Sequence, residues 1–365
     1  MVSGHAAAAT AFLLTCLPSL FTIHHSPLTI HHSPLASHPS PFTTHPSPFL
    51  DPETLRPVSA LPAHVCGRFE DPTGFQQSAD GNYYIFDRRS HTVFAYTPGA
   101  DAPKKVIQIG AEAGRVIQPS AFDFAPDNTF VVADAPNRRE RIQIFSAAGS
   151  SLGGFSLDPR AVERIAIGDF VLNGVGSLEY TGASILIGQP ETGALITEYG
   201  VDGRTKRTFG ELRRTGHESD PELHAALNVA VPIVIPAGGY YVVFLTGVPV
   251  FRKYDAAGTF IFERHIEGIE IDQQLRTLPT TWKARRPNQG ETAIVAPSVR
   301  TAALDRDGNL WISLTVPYTY VYDPAGDKRR VVQFRATGLL SPASLFFTKD
   351  NRLLVTPGCY AFSAK

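Results

Sequence analysis

The chain has 365 residues, of which 33 are basic and 34 acidic, giving a formal net charge of −1. That length suffices for a buried core in one large domain or two ordinary ones, and near-zero charge argues against a dedicated nucleic-acid binder. Low charge density, with 30 Gly and 29 Pro, argues against long helices or coiled coil.

The charge is unevenly placed. Residues 1–50 contain no Asp, Glu, Lys or Arg. Within them, Ala6–Leu17 is an apolar run of signal-peptide length, too short for a membrane span. A signal peptide over residues 1–21 is expected, although Met1–His5 lacks the usual positive charge. Export to a periplasm or the extracellular space follows from it, with no stable membrane span. Leu13–Cys16 resembles a bacterial lipoprotein box in which Thr15 replaces the usual small residue.

Next come four heptads, at 22–28, 29–35, 36–42 and 43–49, each with Ser-Pro at its fifth and sixth positions. A proline in every unit forbids a continuous helix, so residues 22–62 are expected to be an extended, disordered His/Pro repeat and linker. Its histidines could bind metal weakly, but no fixed geometry organises them, and low-complexity expansion is the preferred reading.

From residue 63 short β-branched and aromatic runs alternate with Gly, Asp and Asn turns, and one unit recurs six times. Its first turn falls at Asp80-Gly81, Asp127-Asn128, Gly182-Ala183, Gly238-Gly239, Asp307-Gly308 and Asp350-Asn351. A second turn follows an aromatic at Tyr96, Phe145, Tyr199, Tyr254 and Tyr322 and ends at Gly99, Gly149, Gly203, Gly258 and Gly326. The two turns are 18 to 21 residues apart, whereas successive units are 43 to 69 residues apart. Discrete modules with insertions at their joints give such spacing. Each unit supplies four strands, in the first unit Gly74–Gln77, Tyr83–Asp87, Thr92–Tyr96 and Lys105–Ile109. A sheet of that size cannot bury both faces alone, and radial packing does so. The expected fold is all-β: a six-bladed β-propeller over 63–365, as a monomer.

Two stretches carry a resemblance. Gln118–Asp134 with Asn137–Phe145 and Gly149, and Pro72–Phe75 with Asp80-Gly81, Tyr84–Asp87 and Val93–Tyr96, resemble NHL repeats. The last two units are similar but looser, and the third and fourth rest on spacing. The resemblance spans roughly 70–362 and implies architecture rather than activity, because NHL-like propellers include both enzymes and binding scaffolds.

The sixth unit stops after its third strand, so its edge needs a strand from elsewhere. Ala63–Phe69 is expected to supply it, which would set Cys66 beside Cys359. If Cys16 leaves with a signal peptide, those two remain, and they offer two readings: a disulfide that locks the ring of an exported chain, or two unpaired buried thiols.

Chemical motifs are sparse. Gly149–Gly153 matches G-x-S-x-G, but it lies in a strand–turn–strand context where the serine is no nucleophile. Asp305–Asn309 resembles part of a calcium loop with its glycine too early, and is expected to be a tight turn. No H-E-x-x-H, C-x-x-C or P-loop occurs, and no cofactor is expected.

In a propeller the loops between blades share one face with those joining second to third strands. The long insertions Asp158–Ile167, Glu211–His224 and Glu267–Ala296 should crowd that face, the last with a short helix near Ile271–Leu278 and with Trp282–Arg286 over the channel mouth. It should be rich in arginine, which binds carboxylate or phosphate with a bidentate fork. Acidic residues of the same loops could pair with those arginines instead. Arg300, at the start of an inner strand, is the best-placed ligand contact. Ser120, Ser344, Asp87, Arg88, Asp134, Arg138, Gln189, Trp282 and Arg286 complete the expected mouth. The preferred function is a non-enzymatic scaffold holding an anionic small molecule or a protein or peptide partner. The alternative is a metal-dependent propeller lyase or lactonase, but the inner strands look largely apolar apart from Asp123 and Arg300.

Overall fold

The computed structural model describes residues 50–157, 163–167, 170–173, 177–278 and 295–365. The expected signal peptide and His/Pro repeat, over 1–49, lie outside the described residues.

Six blades form a ring. Their inner strands are Pro72–Gln77, Ala121–Phe124, Leu178–Tyr180, Ala230–Val234, Val299–Leu304 and Ser344–Phe347. Each begins an antiparallel meander, and each inner strand packs against the next, the sixth returning to the first. The hydrophobic core is correspondingly divided. Six clusters of buried side chains lie one at each joint between blades. At the joint of blades one and two, Tyr84 packs on Phe124 with ring centroids 4.4 Å apart, and Phe130 stacks on Phe145 at 5.3 Å. The wedge between two sheets is wide, and aromatic rings fill it.

The turn residues explain the repeat. Gly81, Asn128, Gly182, Gly239, Gly308 and Asn351 all adopt left-handed φ, between 60° and 96°. Glycine tolerates that region freely and asparagine tolerates it better than other residues, so each unit places one there.

Three expectations need correction. Ala63–Cys66 is a helical turn, and the strand that completes blade six is Pro57–Ala60, paired antiparallel with Tyr360–Ser363. The N-terminal closure therefore holds, with the strand a few residues earlier. In addition, Glu53–Leu55 joins blade five as a fifth strand, parallel to Lys328–Phe334. Arg330 grips Glu53 with two bonds of 2.9 and 3.0 Å. The outer strand of blade one is cut to Lys104–Lys105, because Gln108–Ile109 pairs instead with Arg115–Val116. The insertions carry a hairpin, Glu163–Ile167 with Phe170–Asn173, and helices Pro221–Leu227 and Ile269–Thr277. Among the described residues no helix is long and apolar enough to cross a membrane.

Deleting the chain through Leu61 should uncover two sheet edges at once. Scanning calorimetry should then show a melting midpoint lower by about 10 °C or more, with light scattering rising, since several kcal/mol of edge pairing and apolar cover are lost. Arg330→Met, which removes a partly exposed ion pair together with a bond to the Ala364 carbonyl and the contact over the Trp311 ring, should cost less, about 1–3 kcal/mol. An unchanged, cooperative melt of the truncated chain would contradict the closure.

Candidate functional site

The inner strands enclose a central channel of about 930 Å³. Four of the expected site residues line it: Arg88, Ser120, Arg300 and Ser344. Arg300 is the second residue of the inner strand of blade five, where the ladder skips one position between Val299 and Thr301. A bulge re-aims the side chain at the extra residue. The corresponding bulge in blade one falls between Pro72 and Gly74, at Thr73, which also lines the channel. Arg300 Nε and Thr73 Oγ1 are buried, and neither has a hydrogen-bond partner among the described residues. Burial holds the Arg300 guanidinium below its ordinary pKa.

The remaining expected residues are held by the fold itself. Asp87 is fully buried and accepts from the Glu70, Asp71 and Ser90 N–H groups at 2.7, 3.1 and 3.1 Å and from the Ser90 hydroxyl. Asp134, at the same place in blade two, accepts from Ile117 N–H and is clamped by Arg141 at 2.7 Å. Gln189 is buried and accepts from the Tyr199 hydroxyl at 2.7 Å. These three brace the turns and entry segments of their own blades rather than lining the channel. Arg88 donates to Asp71 at 2.9 Å. Ser344 shares a 2.8 Å hydrogen bond with Thr356. Trp282 and Arg286 lie outside the described residues, as does the side chain of Arg138.

Arginine elsewhere on this face is partly structural. Arg213 turns inward, donating to the carbonyls of Leu227, Thr246 and Val248 while stacking 4.5 Å from the Phe244 ring centre. Burial brings its pKa down to about 10. Arg115 sits 4.0 Å from Glu112. The two motif expectations hold. Gly149–Gly153 runs from the turn after the strand Arg141–Ser146 into the strand Ser151–Ser156, a strand–turn–strand context. Asp305 closes its own turn, accepting from the N–H groups of Asp307 and Asn309 and from the Trp311 indole, each at 2.9 Å. Among the described residues no group of three or more His, Cys, Asp or Glu side chains could hold a metal ion.

Sequence reasoning missed one feature of the channel. The penultimate residues of the first three inner strands are Gln76, Asp123 and Glu179. Each accepts a hydrogen bond from the next blade. Phe124 N–H donates to Gln76 Oε1 at 2.8 Å, Tyr180 N–H to Asp123 Oδ2 at 2.7 Å, and Val234 N–H to Glu179. Gln76 Nε2 also donates to Asp123 Oδ1 at 2.9 Å. An inner strand faces the channel with N–H groups that no neighbouring strand can pair, and these side chains supply the missing acceptors. Ile233, Ala303 and Phe346 occupy the same position in blades four to six and have no acceptor to offer. The polar half of the channel wall is thus a latch of blade upon blade.

The latch carries a strain in charge. Both carboxyls open on the channel but are walled in by protein on every other side. Desolvation pushes Asp123 up to about 6. Desolvation and the nearby Asp123 charge push Glu179 well above the ordinary carboxyl range.

No protein-family model matches the sequence, and no curated protein is similar to it. Among solved structures, selenomethionine-substituted virginiamycin B lyase from Staphylococcus aureus is 10% identical with a TM-score of 0.49, over 78% of this chain and 77% of that one. A streptogramin B lyase is 11% identical at 0.48, over 83% and 94%. The WD40 propeller domain of Doa1 is 11% identical at 0.46, over 87% and 98%.

Glu179→Gln keeps the acceptor for Val234 and removes one of the two charges. A carboxyl whose native pKa is raised stabilises the fold below its unfolded value of about 4, and that contribution is lost as pH rises through the native value. The variant should therefore melt about 2–4 °C above the wild type near pH 8, and the gap should vanish near pH 4.5. A constant gap across that range, followed by calorimetry, would show that Glu179 is not held in its neutral form.

Proposed function

We propose that the chain is an exported, non-enzymatic, NHL-like propeller that binds a small anionic ligand in its central channel, with the acid group on Arg300. The observation that carries this reading is a half-buried guanidinium, placed on a bulge in the channel wall, whose Nε has no partner among the described residues. A buried unpaired donor costs roughly 1–3 kcal/mol, and a carboxylate or phosphate oxygen relieves that cost while gaining a charge-assisted hydrogen bond. The channel volume suits a small molecule. Thr73 Oγ1, also unpaired, adds a neutral donor at the same depth of its own inner strand. The apolar run Ala6–Leu17 supports export.

A thermal-shift screen with inorganic phosphate and with mono-, di- and tricarboxylates tests the reading. At least one anion should raise the wild-type midpoint, and Arg300→Met should weaken its binding by about tenfold or more, some 1.4 kcal/mol. The unliganded variant should be no less stable than the wild type, because the buried Nε it removes has no partner among the described residues. An anion-dependent shift that survives Arg300→Met would remove this residue from the site.

A further inference from the structure

Cys66 and Cys359 meet where the ring closes. Leu61 N–H donates to the Cys359 carbonyl at 3.1 Å, directly after the closing strand. The helical turn Ala63–Cys66 then brings Cys66 back over the last blade, where its Sγ donates to the Gly358 carbonyl at 3.3 Å. Both cysteines belong to the cluster that joins blade six to blade one. They are free thiols, Cys66 half-buried and Cys359 buried. The neighbouring Cys359 thiol holds Cys66 below its ordinary pKa, while the same contact, with burial, raises Cys359. Two thiols alone do not make a closed zinc set, which takes four ligands, and among the described residues no third metal-ligating side chain joins them.

We propose that Cys66 and Cys359 are a thiol–disulfide exchange site, which takes a glutathione-like small disulfide and closes to a bond between the N-terminal arm and the last blade. Cys66, the more accessible of the two, attacks one sulfur of the small disulfide and gives a mixed disulfide, releasing one small thiolate. Cys359 then loses its proton to that thiolate and attacks the Cys66 sulfur, releasing the second, which takes up the proton that Cys66 gave to water as it attacked. Two protein thiols are oxidised by two electrons, and one small disulfide is reduced to two thiols. The new bond would fix the closing strand by a covalent link spanning nearly the whole ring.

The full chain is incubated natively with oxidised glutathione and examined by intact mass spectrometry and peptide mapping. The expected product has lost two hydrogens, links Cys66 to Cys359, reverts with dithiothreitol and melts about 5–10 °C higher than the reduced chain. Cys359→Ala should stall as a glutathione adduct on Cys66. Cys66→Ser, a one-atom change at the more exposed partner, should form neither adduct nor link at Cys359. A wild-type chain that stays reduced, stops at the adduct, or pairs either cysteine with Cys16 overturns the proposal. None of these readouts depends on the channel or its ligand.

Discussion

A four-stranded sheet with two apolar faces is unstable in water, and every other feature of this protein depends on how that problem is solved. Each blade buries its faces only against its neighbours, so the core is six wedges rather than one mass. Five of the wedges join consecutive blades, and the sixth exists only once the ring is closed. The joint between blades six and one therefore carries more than its own contacts. There the chain uses its N-terminal arm, with Leu61, Val65 and Cys359 sharing one cluster with Phe75 and Phe94. The arm also covers the outer edge of blade five, where an exposed row of backbone groups would otherwise invite pairing with another chain.

The channel arises from the same geometry. Inner strands converge on the axis, and their innermost backbone groups have no strand beyond them. Gln76, Asp123 and Glu179 answer that need in three successive blades. Two of the acceptors are carboxyls, and a low-dielectric wall disfavours their charged forms. Arg300 stands in blade five, directly across the ring from blade two and near the opposite end of its strand. Arg300 and the Asp123–Glu179 pair are consequently set apart both along and across the channel.

The architecture was legible because the turns impose it. A left-handed turn position admits Gly or Asn and little else, so six such positions mark six units whatever the strands contain. Tyr83–Asp87 and Thr92–Tyr96 have the bounds expected from alternation. The closing strand was misplaced because Pro57–Ala60 carries a proline and no alternating pattern, while Ala63–Phe69 has the apolar look of a strand. It is helical because the backbone N–H groups of Val65, Cys66 and Gly67 find local carbonyls at Pro62 and Ala63. The site was half legible. Position at the start of an inner strand was enough to find Arg300. Asp87, Asp134 and Gln189 were drawn to the mouth by loop position alone, which cannot show that their hydrogen bonds are already taken. Glu179 was hidden because the turn after it, Thr181–Ser184, is one residue shorter than those after Gln77 and Phe124. Counting back from the turn glycine puts Glu179 out of step with Gln76 and Asp123, and strand register alone aligns the three.

The topology also sets an order in time. The closing strand, Pro57–Ala60, leaves the ribosome among the first parts of the ring, and its partner, Tyr360–Ser363, is the last of the ring's strands to follow. The same arm lies beside Lys328–Phe334, which is made only slightly earlier. Until blade five has been made the arm has no surface on which to dock, and until blade six has been made the growing blades present an open end. Whatever local structure forms along the way, the native ring can be completed only after Tyr360–Ser363 has been made, so closure waits for the last of the six blades.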